Sequence, residues 1–115
     1  MAEVIKAVEE GFRRNGMGET QMPPKTAIKP RGGETFLHAM PAYVGQLDIA
    51  AIKWVGGNDD NRKRGLPSIS GLIILNDPET MFPICIMDAS WVTAMRTGAA
   101  NAVAMKYLGP ERAET

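Results

Sequence analysis

The run Ile69-Ser70-Gly71-Leu72-Ile73-Ile74-Leu75 constrains this chain most. It is apolar on both faces for much of its length, the pattern of a central strand with neighbours on either side. A second apolar stretch, Ile84 to Met87, follows the turn-rich Asn76-Asp77-Pro78-Glu79-Thr80 and predicts a hairpin. Upstream, Thr35 to Met40 reads as a short strand ending at Pro41. Ile49 to Val55 reads as another, entered after the Gly45 turn and left at Gly56-Gly57. The connections carry most of the turn formers. Gly16 to Gly33, with Pro23, Pro24, Pro30 and Gly32-Gly33, reads as loop, and Asn58 to Pro67 as a polar, charged loop.

Helices bracket these strands. Val4, Ile5, Val8 and Phe12 recur at helical spacing over Ala2 to Arg14, with acids early and Arg13-Arg14 late, as the helix dipole favours. Asn15-Gly16 is a stop signal. Asp88 or Ser90 caps a final helix that runs to about Leu108, where Gly109-Pro110 ends it and a charged tail, Glu111 to Thr115, follows. Helix, antiparallel-looking strands, helix: the order predicts an α+β fold with a mostly antiparallel sheet and flanking helices. No Gly-x-Gly-x-x-Gly and no phosphate-binding loop occurs, so the chain carries no dinucleotide domain of its own.

Composition excludes several functions. Lys plus Arg and Asp plus Glu both number 13, so the formal charge is zero. Nucleic-acid binders and binders of anionic membranes normally carry a basic excess. The Arg62-Lys63-Arg64 run is offset by Asp59 and Asp60 and reads as a solvated loop. Cys85 is the single cysteine, which rules out an internal disulfide and fits a reducing, cytoplasmic setting. No apolar run approaches the roughly 18 residues of a membrane span, and the charged first residues do not form a signal peptide.

The informative residues are charges in apolar company. Alternation puts Ile49, Ala51, Lys53 and Val55 on one face. If that face is buried, the Lys53 ammonium must be paired, hydrated or neutralised; otherwise it snorkels to solvent past Gly56-Gly57. Arg96 has Val92, Ala99, Ala100 and Val103 at helical spacing. A guanidinium there needs an anion, either a protein carboxylate or the carboxylate or phosphate of a ligand. His38 alternates with Phe36 and Met40 and reads as a hydrogen-bonded core histidine. No second His or nearby Cys supports a zinc site. Cys85, in an apolar strand without a base, reads as a buried inert thiol. Lys53, Arg96 and Lys25 are thus cations able to converge on a small anion.

The second half of the chain is more specific. Lys53-Trp54-Val55-Gly56-Gly57-Asn58, Asn61 and Gly65-Leu66-Pro67-Ser68-Ile69-Ser70-Gly71 resemble the ornithine cyclodeaminase/mu-crystallin family. So do Leu75-Asn76-Asp77-Pro78-Glu79-Thr80, Met87-Asp88-Ala89, Thr93-Ala94-Met95-Arg96-Thr97-Gly98-Ala99-Ala100, and the Met40-Pro41-Ala42-Tyr43 turn. The similarity runs from about Ala2 to Leu108.

The resemblance implies that residues 1–108 form the N-terminal substrate and dimerisation domain, lacking a short segment before the first helix. It implies that residues 109–115 begin a linker to an absent dinucleotide-binding domain. The chain would then be a fragment holding half an active site and inactive alone. Its full-length parent would be an enzyme that transfers hydride at the α-carbon of a small amino or imino acid. Ornithine cyclodeaminase, alanine dehydrogenase and ketimine reductase are the models. The cofactor would be NAD or NADP, held mainly by the absent domain, and the partner a second copy in a homodimer. By the same resemblance Lys53 contacts the substrate carboxylate and polarises the reacting carbon. Arg96 reaches both carboxylate and cofactor, and Ser68 lies near the cofactor. Lys25 stands where an arginine often clamps the carboxylate. His38 stands where cyclodeaminases carry an acid, which argues against ornithine. Met81 replaces a turn glycine. The alternative is a non-catalytic dimerising or small-ligand-binding module of mu-crystallin type.

Overall fold

The computed structural model describes residues 1–31 and 34–110; the Gly32-Gly33 pair and the Glu111 to Thr115 tail lie outside the described residues. Two compact units form, one from Glu19–Ser90, the other from Met1–Gly18 with the segment from Trp91 on.

The first unit is a six-stranded antiparallel sheet: β1 (Thr20–Gln21), β2 (Thr26–Ile28), β3 (Phe36–Val44), β4 (Ile49–Gly57), β5 (Ile69–Asn76) and β6 (Pro83–Asp88). The order is β1-β3-β4-β5-β6, with β2 also paired to β3. The apolar run is indeed internal, lying between β4 and β6. Its glycine has a steric reason. A Cβ on Gly71 would meet the Trp54 carbonyl oxygen at 2.2 Å and the Val55 Cα at 2.8 Å, so β4 lies too close for any side chain.

Two expectations need correction. The stretch 16–33 is not all loop, because β1 and β2 form within it along the outer edge of β3. Nor does β3 end at Pro41; it continues to Val44. On the outer edge β3 is registered to β2 at 37–39 and to β1 at 43–44, so Pro41 falls in the gap between them. A residue without an N–H costs that edge no ladder bond there.

The connections are tied by their own polar side chains. Asn58 accepts from the Asp60 N–H at 2.9 Å and starts a 3₁₀ turn at Asp59–Arg64. Within that loop Lys63 pairs with Asp60 at 2.7 Å, and Arg62 Nε donates to Ser68 Oγ at 2.8 Å, so the basic run is a solvated loop, as expected. In the β5–β6 turn Asp77 Oδ1 accepts from both the N–H and the hydroxyl of Thr80, each at 2.7 Å. Met81 there adopts φ 58°, the left-handed conformation that glycine takes without strain.

The second unit pairs α1 (Ala2–Gly16) with α2 (Ser90–Leu108). Val4, Ile5 and Val8 of α1 are half-buried, while Phe12 is exposed. Ala99 and Val103 are the buried residues of α2. Glu9 is the polar tie between the helices, accepting from Lys106 Nζ at 2.7 Å and from the Tyr107 hydroxyl. Asp88 performs the expected capping: its carboxylate accepts from the Ser90 N–H at 2.8 Å and from the Ser90 hydroxyl at 3.0 Å. Among the described residues no helix is long and apolar enough to cross a membrane.

Candidate functional site

Strand register decides which side chains share a face. Across the β3–β4 pair Phe36 faces Gly57, His38 faces Val55 and Met40 faces Lys53. The row through Lys53 continues to Ile73 and Met87. Within β3–β6 Lys53 is therefore the one charge in a row otherwise made of Met40, Ile73 and Met87, and it is half-buried. Val55, beside it on this face, is 4% exposed.

On the other side of β3, Ala27 faces His38. Lys25 and Lys29 flank Ala27 two residues away in each direction, so strand alternation puts both on the face of His38. The His38 imidazole is held below its ordinary 6.5, first by partial burial and then by the charges of Lys25, Lys53 and Lys29. Lys25 and Lys29 at the two ends of β2, and Lys53 on β4, thus share the face of this imidazole. Phe36 fixes its orientation, stacking on it with ring centroids 4.6 Å apart and planes 29° from parallel. The Phe36 ring occupies the space over Gly57, where a Cβ would meet it at 2.3 Å.

Among the described residues, Lys25, Lys29 and His38 have no hydrogen-bonding or ion-pairing partner. The expectation of a hydrogen-bonded core histidine is not met: His38 is half-buried, stacked and open at both ring nitrogens. The sequence conceals Lys29, because the proline-rich stretch 16–33 reads as loop and not as strand. Its signal was Lys25-x-Ala27-x-Lys29, two like residues in phase about a strand centre.

The remaining candidates stand on other elements. Ser68 is half-buried just before β5; its hydroxyl accepts from Arg62 and still has its own proton to donate. Arg96 is exposed on α2, in the helical unit, and among the described residues no carboxylate pairs with it. Cys85 is exposed, not buried, because β6 has β5 on one side only. A groove of about 790 Å³ belongs to the helical unit and is lined by Phe12, Val103 and Leu108 among others. Of its charged residues, Glu9, Glu10 and Arg13 are ion-paired.

The sequence pattern of the ornithine cyclodeaminase/mu-crystallin family matches residues 1–115. The chain belongs to that family. An archaeal alanine dehydrogenase dimer with bound NAD superposes with a TM-score of 0.85 at 45% identity, over 94% of this chain and 32% of that one. The Thermococcus litoralis Δ1-pyrroline-2-carboxylate reductase, in complex with NADH and L-proline, gives 0.89 at 42% identity, over 94% and 33%. The N-((2S)-2-amino-2-carboxyethyl)-L-glutamate dehydrogenase of Staphylococcus aureus is 49% identical over 110 residues, 90% of this chain and 33% of its own length. The chain thus spans about a third of the length of the relatives it matches. The α+β fold expected from element order is the fold of these family structures.

Proposed function

We propose that this chain is the substrate-binding portion of a nicotinamide-dependent enzyme that transfers hydride at the α-carbon of a small amino or imino acid. The observation that carries this reading is the convergence of Lys25 and Lys53 on one sheet face about His38, in a family whose relatives bind NAD or NADH. Lys25 and Lys53 hold the substrate carboxylate. Lys53, with apolar Met40 and Ile73 beside it, acts in surroundings poorer in water than the surface, where a positive charge polarises the reacting carbon more strongly. Two fixed cations restrict the acid to one orientation, so positioning supplies much of the rate.

The residues assigned to the cofactor fit an anionic, acceptor-rich ligand. The Ser68 hydroxyl keeps a donor, and Arg96 presents a guanidinium with no protein carboxylate on it among the described residues. When bound, the nicotinamide takes or gives the hydride; this chain's residues bind and orient the acid. NAD rather than NADP agrees with the cofactors named in the related structures.

The working form is a homodimer. The sheet face opposite His38 carries Ile28, Trp54, Leu72 and Ile86, 55%, 50%, 43% and 64% exposed, an apolar surface suited to a second copy. An exposed thiol at Cys85 agrees with a reducing cytoplasm. In the full-length protein, Lys53→Ala should lower turnover of the amino or imino acid at least about a hundredfold while NADH still binds. Nicotinamide absorbance measures the first and calorimetry the second. Turnover at the unaltered rate would sink the assignment.

A further inference from the structure

Lys29 and His38 share this face with the two lysines assigned to the carboxylate. Lys25 lies level with Met40 and Lys53, so these two ammonium groups reach in from opposite sides of one row, about two strand spacings or roughly 10 Å apart at the backbone. Lys29 lies level with Phe36 and Gly57, four residues or roughly 13 Å along the strand. His38 sits between the two levels. Its own strand adds Phe36 and Met40, which do not titrate; the residues flanking β2 are Lys25 and Lys29, and β4 carries Lys53. No Asp or Glu occupies this face on β3, β4, β5 or β6, since Asp88 is registered to Leu72 on the other face.

We propose that this face takes an α-amino or α-imino acid whose side chain carries a second carboxylate, with Lys25 and Lys53 on the first carboxylate and Lys29 and His38 on the second. The proposal rests on the function assigned above and extends it to a substrate class. A diamino acid would bring a further cation among three lysines and is disfavoured by charge alone. An acid with an uncharged side chain would leave Lys29 and the imidazole without a partner. Gly57 matters here, because the missing side chain lets Phe36 lie flat and keep the imidazole turned to the same side.

His38 is the only histidine, so its imidazole resonance reports on this face without ambiguity. The 115-residue chain is titrated with L-glutamate, L-alanine and L-ornithine while that resonance is followed by NMR. L-Glutamate should bind about tenfold more tightly than L-alanine, and L-ornithine more weakly than either. The bound dicarboxylate should also move the imidazole pKa upward, because it offsets the lysine charges that hold it down. Lys29→Ala should remove the preference for L-glutamate and leave L-alanine binding unchanged, and Lys29→Arg should restore the preference. Equal binding of L-glutamate and L-alanine, with no effect of Lys29→Ala, overturns this proposal and leaves the assigned function standing. If no amino acid moves the resonance, this face binds no carboxylate in the chain and the proposal is overturned, while turnover of the Lys53→Ala full-length protein still decides the assigned function.

Discussion

Met81 shows how much one backbone angle can say. It sits at φ 58° in the β5–β6 turn, held by its N–H to the Asp77 carbonyl at 2.7 Å and by its own carbonyl, which accepts from Asn76 Nδ2 at 2.7 Å. A Cβ in that region clashes with its own carbonyl by about 1–2 kcal/mol, whereas glycine there costs only unfolded-chain entropy. Met81→Gly should therefore stabilise the chain by about 0.5–1 kcal/mol, read from the midpoint of urea unfolding. A midpoint that moves down would mean that the Met81 side chain contributes packing that its 59% exposure does not suggest. His38 carries the opposite lesson. Its alternation with Phe36 and Met40 was legible, but its neighbours were not, because two of them come from a strand that the proline-rich stretch conceals.

Elements draw their stability from different sources. In α1, Glu10 accepts from Arg13 at 2.7 and 2.8 Å. Arg14 Nε also lies 2.8 Å away, at an angle that makes it a charge pair more than a hydrogen bond. Arg13, with Arg14 behind it, holds the Glu10 carboxyl down from 4.5 to about 2. A depressed acid contributes its stabilisation above the ordinary value and loses it as pH falls from 4.5 through about 2. Glu10→Gln should flatten helix unfolding by circular dichroism across that window, and salt should shrink the difference, since the pair is exposed. The Glu9 carboxyl is lowered in the same direction, chiefly by Lys106 and then by Tyr107. In the sheet the decisive element is β5. Gly71→Ala should cost about 1–3 kcal/mol in chemical denaturation, because the new methyl would press on β4 backbone, which cannot rotate away. An unchanged midpoint would show that β4 and β5 can separate locally at that point.

For the whole molecule, the described core is small: Val55 and Ala89 in the sheet unit, Ala99 and Val103 in the helical unit. A chain with so little buried and so much apolar surface on one sheet face is stabilised by covering that face. Sedimentation should show self-association, and Trp54→Glu should weaken it at least about tenfold by setting a charge in the middle of the row. A monomer for both would remove the homodimer. Short-range chemistry was enough to place the hairpin, both helices, the Asp88 cap and the in-phase Lys53, because each depends on residues a few positions apart. The family pattern likewise lies along the chain, in the segments from Lys53 to Gly71 and from Leu75 to Ala100. The course of β3 through Pro41, the strands β1 and β2, and the gathering of Lys25, Lys29 and Lys53 around His38 were different in kind. They depend on which edge of β3 has a partner and at what register, and hydrogen bonds between segments far apart in sequence set both.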